Sequence, residues 1–342
     1  MSELAGLLVE TAERMFAEAA GEAVLGEVAA GRWPEALWRL VEEGGFLDLV
    51  AVADPAEAWS RWADALAVLR AGGRHALPVP LAEALWARRL SAAAGFDVPA
   101  GYVGLATGVA LDVAADGTAA VAGEAAGVPW AREAVGLVVV AADGNRVAWV
   151  ARDAFEVRPA TDLAFEPRDT VRFSGRARAV AEAGDLAEAT RLALLSSRVA
   201  LMAGALERVL ELTVAHAQQR TQFGRPLGRF QAIQQAIAMM AADVALSGAA
   251  ADELASAAAA GRLEAVGVLA AKVAVAGAAG RAAAVAHQVH GAMGFTEEYR
   301  LHYFTQRLWS WRDEYGTETE LAGELGRRLA AQAPDALWPA LL

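Results

Sequence analysis

The chain has 342 residues, 56% of them hydrophobic, which is enough for two or three cores. A formal charge of −12 excludes the basic surface that nucleic-acid backbones demand. With no cysteine, disulfides, thiolate catalysis and thiolate metal sites are excluded too. Few aromatics and abundant alanine favour helix. Met1 to Glu18 is acidic and lacks a basic leader region, so a cytoplasmic protein is expected. Lys272 and Arg281 interrupt the most apolar run, Val266 to Val289, so no membrane insertion is expected.

From Ser2 to about Gly95 the spacing predicts short helices. Leu4, Leu7, Leu8, Ala12, Met15 and Phe16 recur at helical intervals. Trp33-Pro34 opens a second helix, which Gly44-Gly45 ends. Pro55 opens a third, through Trp59, Trp62, Leu66 and Leu69, and Gly72-Gly73 is expected to stop it. Pro78 and Pro80 mark a linker before another helix, Leu81 to Ala94.

From about Ala100 to Val180, alternating runs and turn signals predict a β-domain of roughly six to eight strands. Val109 to Val113 and Thr118 to Ala122 pair across Ala115-Asp116-Gly117, and Leu137 to Val140 pairs with Arg146 to Val150 across Asp143-Gly144. Phe155 to Val157 and Thr170 to Phe173 add strands. From about Leu186 the chain returns to long helices. One stripe runs Leu192, Leu195, Val199, Met202, Leu206, Leu210, and another runs Phe230, Ile233, Ile237, Met240, Val244. A third helix runs to His290, and such helices with short links make a bundle. The fold class is therefore mainly α with a central β-domain: helical domain 1–98, β-domain 99–182, helical bundle 183–342.

Between two of the bundle helices stands RTQFGRPLGRFQ, Arg220 to Gln231. A guanidinium and a ring held there suit an anionic or phosphate-bearing ligand with a flat ring system. They also suit a surface arginine and a phenylalanine plugging a helix corner. His287 and His290 lie three apart, but no further ligands stand at useful spacing. No metal site is expected, and His75, His216, His287, His290 and His302 read as structural.

Arg220, Phe223, Gly224, Pro226, Leu227 and Gln231 match the R-x-x-F-G-x-P-(I/L)-x-x-x-Q motif of the acyl-CoA dehydrogenases, which this chain resembles. Gln288, Gly291, Ala292, Gly294 and Phe295 match that family's Q-x-x-G-(G/A)-x-G-(F/Y) motif. The resemblance implies an N-terminal helical domain, a small β-barrel-like domain and a C-terminal four-helix bundle. It implies FAD, with Arg220, Phe223 and Gln231 toward the pyrophosphate half and Gln288 and Gly291 toward the adenosine half. Thr317, of the Gly-Thr pair, is a further cofactor-binding candidate. It also implies α,β-desaturation of an acyl-CoA thioester and transfer of electrons to an acceptor.

The chain departs from the family in several places. The Pro-Glu and Gly-Gly segment of the N-terminal domain is missing. The flavin-ring contacts are replaced by Leu105-Ala106-Thr107-Gly108 and Val128-Pro129-Trp130-Ala131, where Trp130 is left to stack near a flavin or to sit half-buried at an edge. The family's catalytic glutamate precedes the Gly-Thr pair, where this chain has Tyr315. Glu314 lies one residue earlier, turned roughly 100° away if helical. The other position used in the family falls at about Leu194. The pattern resembles the degenerate subunit of α2β2 acyl-CoA dehydrogenases, many of which act on steroid side-chain thioesters. Two alternatives stand beside it: a complete homotetrameric enzyme using Glu314 as base, and a structural subunit with no FAD contact.

Overall fold

A computed structural model describes residues 3–114, 119–182, 186–296 and 298–332. The N-terminal helices are α1 (Glu3–Ala19), α2 (Glu22–Ala29), α3 (Glu35–Glu43), α4 (Pro55–Arg74) and α5 (Leu81–Ala94). Seven strands follow: β1 (Val103–Val113), β2 (Ala119–Pro129), β3 (Gly136–Ala141), β4 (Arg146–Ala151), β5 (Phe155–Arg158), β6 (Arg168–Phe173) and β7 (Ala179–Glu182). Next come α6 (Leu186–Gln219), a hairpin of β8 (Thr221–Gln222) and β9 (Arg225–Pro226), α7 (Gln231–Ala259), α8 (Ala265–His290), α9 (Leu301–Asp313) and α10 (Glu318–Ala330). The chain forms two compact units. One comprises Met1–Glu22, Leu66–Leu77 and Leu195–Leu342, the other Ala23–Ala65 and Pro78–Leu194.

The second unit holds the sheet, ordered β5-β6-β2-β1-β3-β4-β7. β1 and β3 run parallel, and the other pairs are antiparallel. The expected antiparallel pairing of β1 with β2 is present, with Leu111 opposite Val121, while the turn Ala115-Asp116-Gly117 and Thr118 lie outside the described residues. Asp143-Gly144 closes the β3–β4 hairpin: Asp143 accepts from the Asn145 amide at 3.1 Å, and Gly144 takes φ +76°. Leu137 to Val140 are wholly buried, as a continuous apolar run demands.

Trp130 is not the half-buried edge residue expected. It is 0% exposed, enclosed in an aromatic cluster with Trp33 at 5.0 Å, and Trp33 in turn packs on Trp38 and Tyr102. A ring could stack on Trp130 only by displacing that cluster.

In the first unit, Gly72 and Gly73 do not end α4, which continues to Arg74. A Cβ on Gly73 would lie 2.0 Å from the Leu201 carbonyl oxygen, and one on Gly204 would lie 1.9 Å from that of Arg70. The two glycines let α4 and α6 cross with their backbones in contact. Such close packing outweighs the intrinsic cost of a helical glycine, about 1 kcal/mol. Arg70 and Arg74 bond Glu207 across this crossing.

By length and composition alone, α6, α7 and α8 each contain a run apolar enough to cross a membrane. They differ in cover: only 22% of the α7 window is buried. Its inner stripe, Met240, Val244, Ala251 and Leu254, packs inward, while Met239 and Leu246 face outward.

Candidate functional site

The stretch after α6 folds as a two-residue-loop hairpin. Phe223 (φ +49°) and Gly224 (φ +78°) form its tip, a pair of positive φ angles that suits the twist of the strands. Phe223 takes this conformation despite its Cβ, and its ring stands 92% exposed. Arg220, Arg225 and Arg229 form no ion pair among the described residues, and the Arg225 guanidinium lies 4.1 Å from the Phe230 ring centroid. Phe230 precedes α7, whose first residue, Gln231, is exposed.

The second motif closes α8. Gly291 takes φ +60°, with nothing within 4 Å of where its Cβ would be. Gln288 on the last turn is exposed, and Gly291 to Phe295 form a short 3₁₀ turn. Gly294 sits against His287 and His290, where a Cβ would come within 3.0 Å of the His290 Cβ. Three unpaired guanidiniums, a bare ring, two outward amides and an open glycine fit the pyrophosphate and adenosine of a dinucleotide such as FAD.

The histidines join the two motifs, a role the sequence reading missed. His216, in the last turn of α6, stacks on His290 at 4.3 Å, and the Arg220 amide bonds the His216 carbonyl. His290 Nε2 lies 3.2 Å from the Tyr299 hydroxyl. His287 stacks between Phe295 and Trp309, with Nε2 2.9 Å from Thr305 Oγ1. A cluster of histidines at two helix ends is a signal for such a joint, but spacing alone does not pair His216 with His290.

Burial depresses the pKa of all three, with repulsion from His290 adding to the effect at His216 and His287. The unfolded chain therefore binds protons that the folded joint refuses, and stability falls as pH drops below about 6.5. The melting temperature is expected to fall between pH 7 and pH 5, less steeply in His290→Gln. A profile unchanged by that substitution would show that other groups set the acid response.

Thr317 is set apart from the two joined motifs. It caps α10, its hydroxyl bonding Glu320 at 2.8 Å. Gly277 of α8 faces Glu318, so this end of α10 lies about three turns, about 16 Å, before Gln288 along α8.

Glu314 does not lie on a helix, which removes the premise of a 100° rotation. α9 ends at Asp313, Glu314 is extended, and Tyr315 and Gly316 have φ +61° and +131°. Buried Arg198 of α6 bonds the Glu314 carboxylate through Nε. Its Nη2 reaches the Tyr315 hydroxyl at 3.3 Å, and the guanidinium lies 4.9 Å from the Tyr315 ring centroid. Beside them, buried Lys272 donates to the Arg312 carbonyl at 2.6 Å. Burial and the nearby Arg198 charge lower its pKa to about 8, against the pull of Glu314 and Asp313. Glu314 is thus held by a guanidinium, and Leu194 is a buried apolar residue. Among the described residues no group of three metal-ligating side chains occurs.

Residues 188–328 match the acyl-CoA dehydrogenase C-terminal domain. This match, over less than half of the chain, marks its C-terminal helical region as similar to that of the acyl-CoA dehydrogenases. The chain is 28% identical over 310 residues to acyl-CoA dehydrogenase IpdE2 of Mycobacterium tuberculosis, covering 88% of this chain and 89% of the relative. The ChsE4-ChsE5 complex from Mycobacterium tuberculosis has a similar fold, with TM-score 0.81 at 22% identity over 97% of this chain and 99% of the other. So does the Tcur3481-Tcur3483 steroid ACAD G363A variant, with TM-score 0.83 at 21% identity over 96% and 98%.

Proposed function

We propose that this chain is one subunit of a heteromeric acyl-CoA dehydrogenase, lending adenosine and pyrophosphate contacts to an FAD site shared with a partner subunit and supplying no catalytic base. One contrast carries the reading. Arg220, Phe223, Gln231, Gln288 and Gly291 face outward, whereas the turn that would bear the base holds Tyr315 and a carboxylate engaged by Arg198. A carboxylate paired with a guanidinium is a weak base, since the pairing stabilises its ionised form. The outward Met239 and Leu246 on α7 suit burial against a second subunit.

In that assembly a partner subunit would supply the base for the α-proton, and FAD, with Arg220, Phe223, Gln231, Gln288 and Gly291 toward it, would supply the redox chemistry between the thioester and an electron acceptor. The ChsE4-ChsE5 complex and the Tcur3481-Tcur3483 steroid ACAD, each of two named chains, support a heteromeric assembly, α2β2 in our reading, and a steroid-derived thioester.

Purified alone, the chain should be colourless; co-expressed with its partner it should yield yellow protein. Arg220→Ala should weaken FAD retention by the assembly about tenfold, the scale of a lost charge-assisted bond to phosphate. Unchanged retention would favour a structural subunit. Glu314→Gln should leave turnover within about twofold, since no transition-state contact is removed. Abolished turnover would make Glu314 the base.

A further inference from the structure

Away from these motifs, α5 is buried on nearly every side from Leu81 to Ser91. It carries Arg89, only 7% exposed. Its Nη1 has no hydrogen-bond partner, and its side chain forms no ion pair or hydrogen bond with any described residue. A guanidinium stays charged at any working pH. Burying that charge without a counter-ion is strongly unfavourable, so folded chains normally supply one.

The surroundings indicate where the missing partner belongs. One turn earlier on the same helix face, Trp86 packs against Trp59 and Trp62 of α4 at 5.2 Å each. Asp54, just before α4, is the acidic group whose charge Arg89 feels. Asp54 Oδ1 is already engaged as the α4 cap, accepting from the Glu57 amide at 2.8 Å. Arg89 also lies toward the positive end of the α4 dipole, which adds to its need for negative charge.

We propose that Arg89 anchors an oxyanion-binding site at the junction of α4 and α5, taking a carboxylate or phosphate group of a small molecule whose apolar body lies along the half-buried Trp59. A guanidinium left only 7% exposed can be reached by a slim anionic group and not by a bulky one. The half-buried Trp59 indole favours an anion carrying apolar or aromatic substance over a bare mineral ion. The site is separate from the FAD-contact motifs and does not depend on the functional reading above.

Melting of the intact chain tests this at fixed ionic strength with inorganic phosphate, acetate, benzoate and coenzyme A, each against chloride. At least one oxyanion should raise the melting temperature with saturating dependence. Arg89→Met should weaken that binding about tenfold or more, and Arg89→Lys should retain part of it. A response to acetate and benzoate assigns a carboxylate; a response to phosphate and coenzyme A assigns a phosphate. The proposal is overturned if no oxyanion acts beyond chloride, or if wild type and Arg89→Met respond alike. It is overturned equally if Asp54→Asn abolishes the response while leaving the α4 cap intact, since removing a negative charge near Arg89 can only favour an anion there. Should Arg89→Met fail to fold, Arg89→Lys and Asp54→Asn decide.

Discussion

Gly204→Ala is expected to destabilise the protein by about 3 kcal/mol, at the upper end for overpacking, because the new methyl would stand 1.9 Å from the Arg70 carbonyl oxygen. That oxygen belongs to the backbone of α4 and cannot swing aside, so the helices must part along their crossing. Parting them also strains the bonds from Arg70 and Arg74 to Glu207. The same substitution at Gly267 should act in the opposite direction. Nothing lies within 4 Å of its Cβ position early in α8, so alanine brings only its higher helix propensity, up to about 1 kcal/mol. Urea midpoints of the two variants, moving in opposite directions, would separate packing from propensity. A Gly204→Ala midpoint equal to wild type would mean that the crossing is looser than described.

Arg198→Met is expected to cost about 3 kcal/mol, the lower end of the penalty for stripping one partner from a buried ion pair, since the remaining Glu314 side chain is 17% exposed. Arg198 is 2% exposed and bonds both Glu314 and Tyr315. The loss leaves a carboxylate without its guanidinium on a turn where Tyr315 already sits in the left-handed region. Adding Glu314→Gln should recover part of the loss, because a neutral amide needs no counter-charge, with a coupling on the order of 1–3 kcal/mol. Strictly additive losses would show that the pair is not the source of the stability.

Much of the fold was legible because periodicity reports burial. The β3 run and its Asp-Gly turn are plain in sequence, as is the stripe through Met240 and Val244. The parallel pairing of β1 with β3 was not, since strand patterns carry no direction. Gly72-Gly73 misled for a physical reason: a glycine pair marks a helix end or a close crossing, and only the partner glycine at 204 separates the two. Trp130 misled because its burial comes from Trp33, far away in sequence. At the candidate site, Arg220 and Gln288 were legible as motifs. The His216–His290 stack that joins them was not, nor was Arg198 as the partner of Glu314, because both pairings are made by tertiary packing across distant helices. Glu314 itself was misjudged in conformation: its own extended backbone ends the helix that the rotation argument assumed, one residue before the positive φ of Tyr315.

The hairpin tip has a practical consequence. A phenylalanine ring standing almost wholly in water is adhesive, and with Met239 and Leu246 it invites copies of the chain to clump when nothing else covers them. Producing this polypeptide well should therefore be a matter of stoichiometry, with yield governed by how promptly each newly made copy meets a surface that shields Phe223.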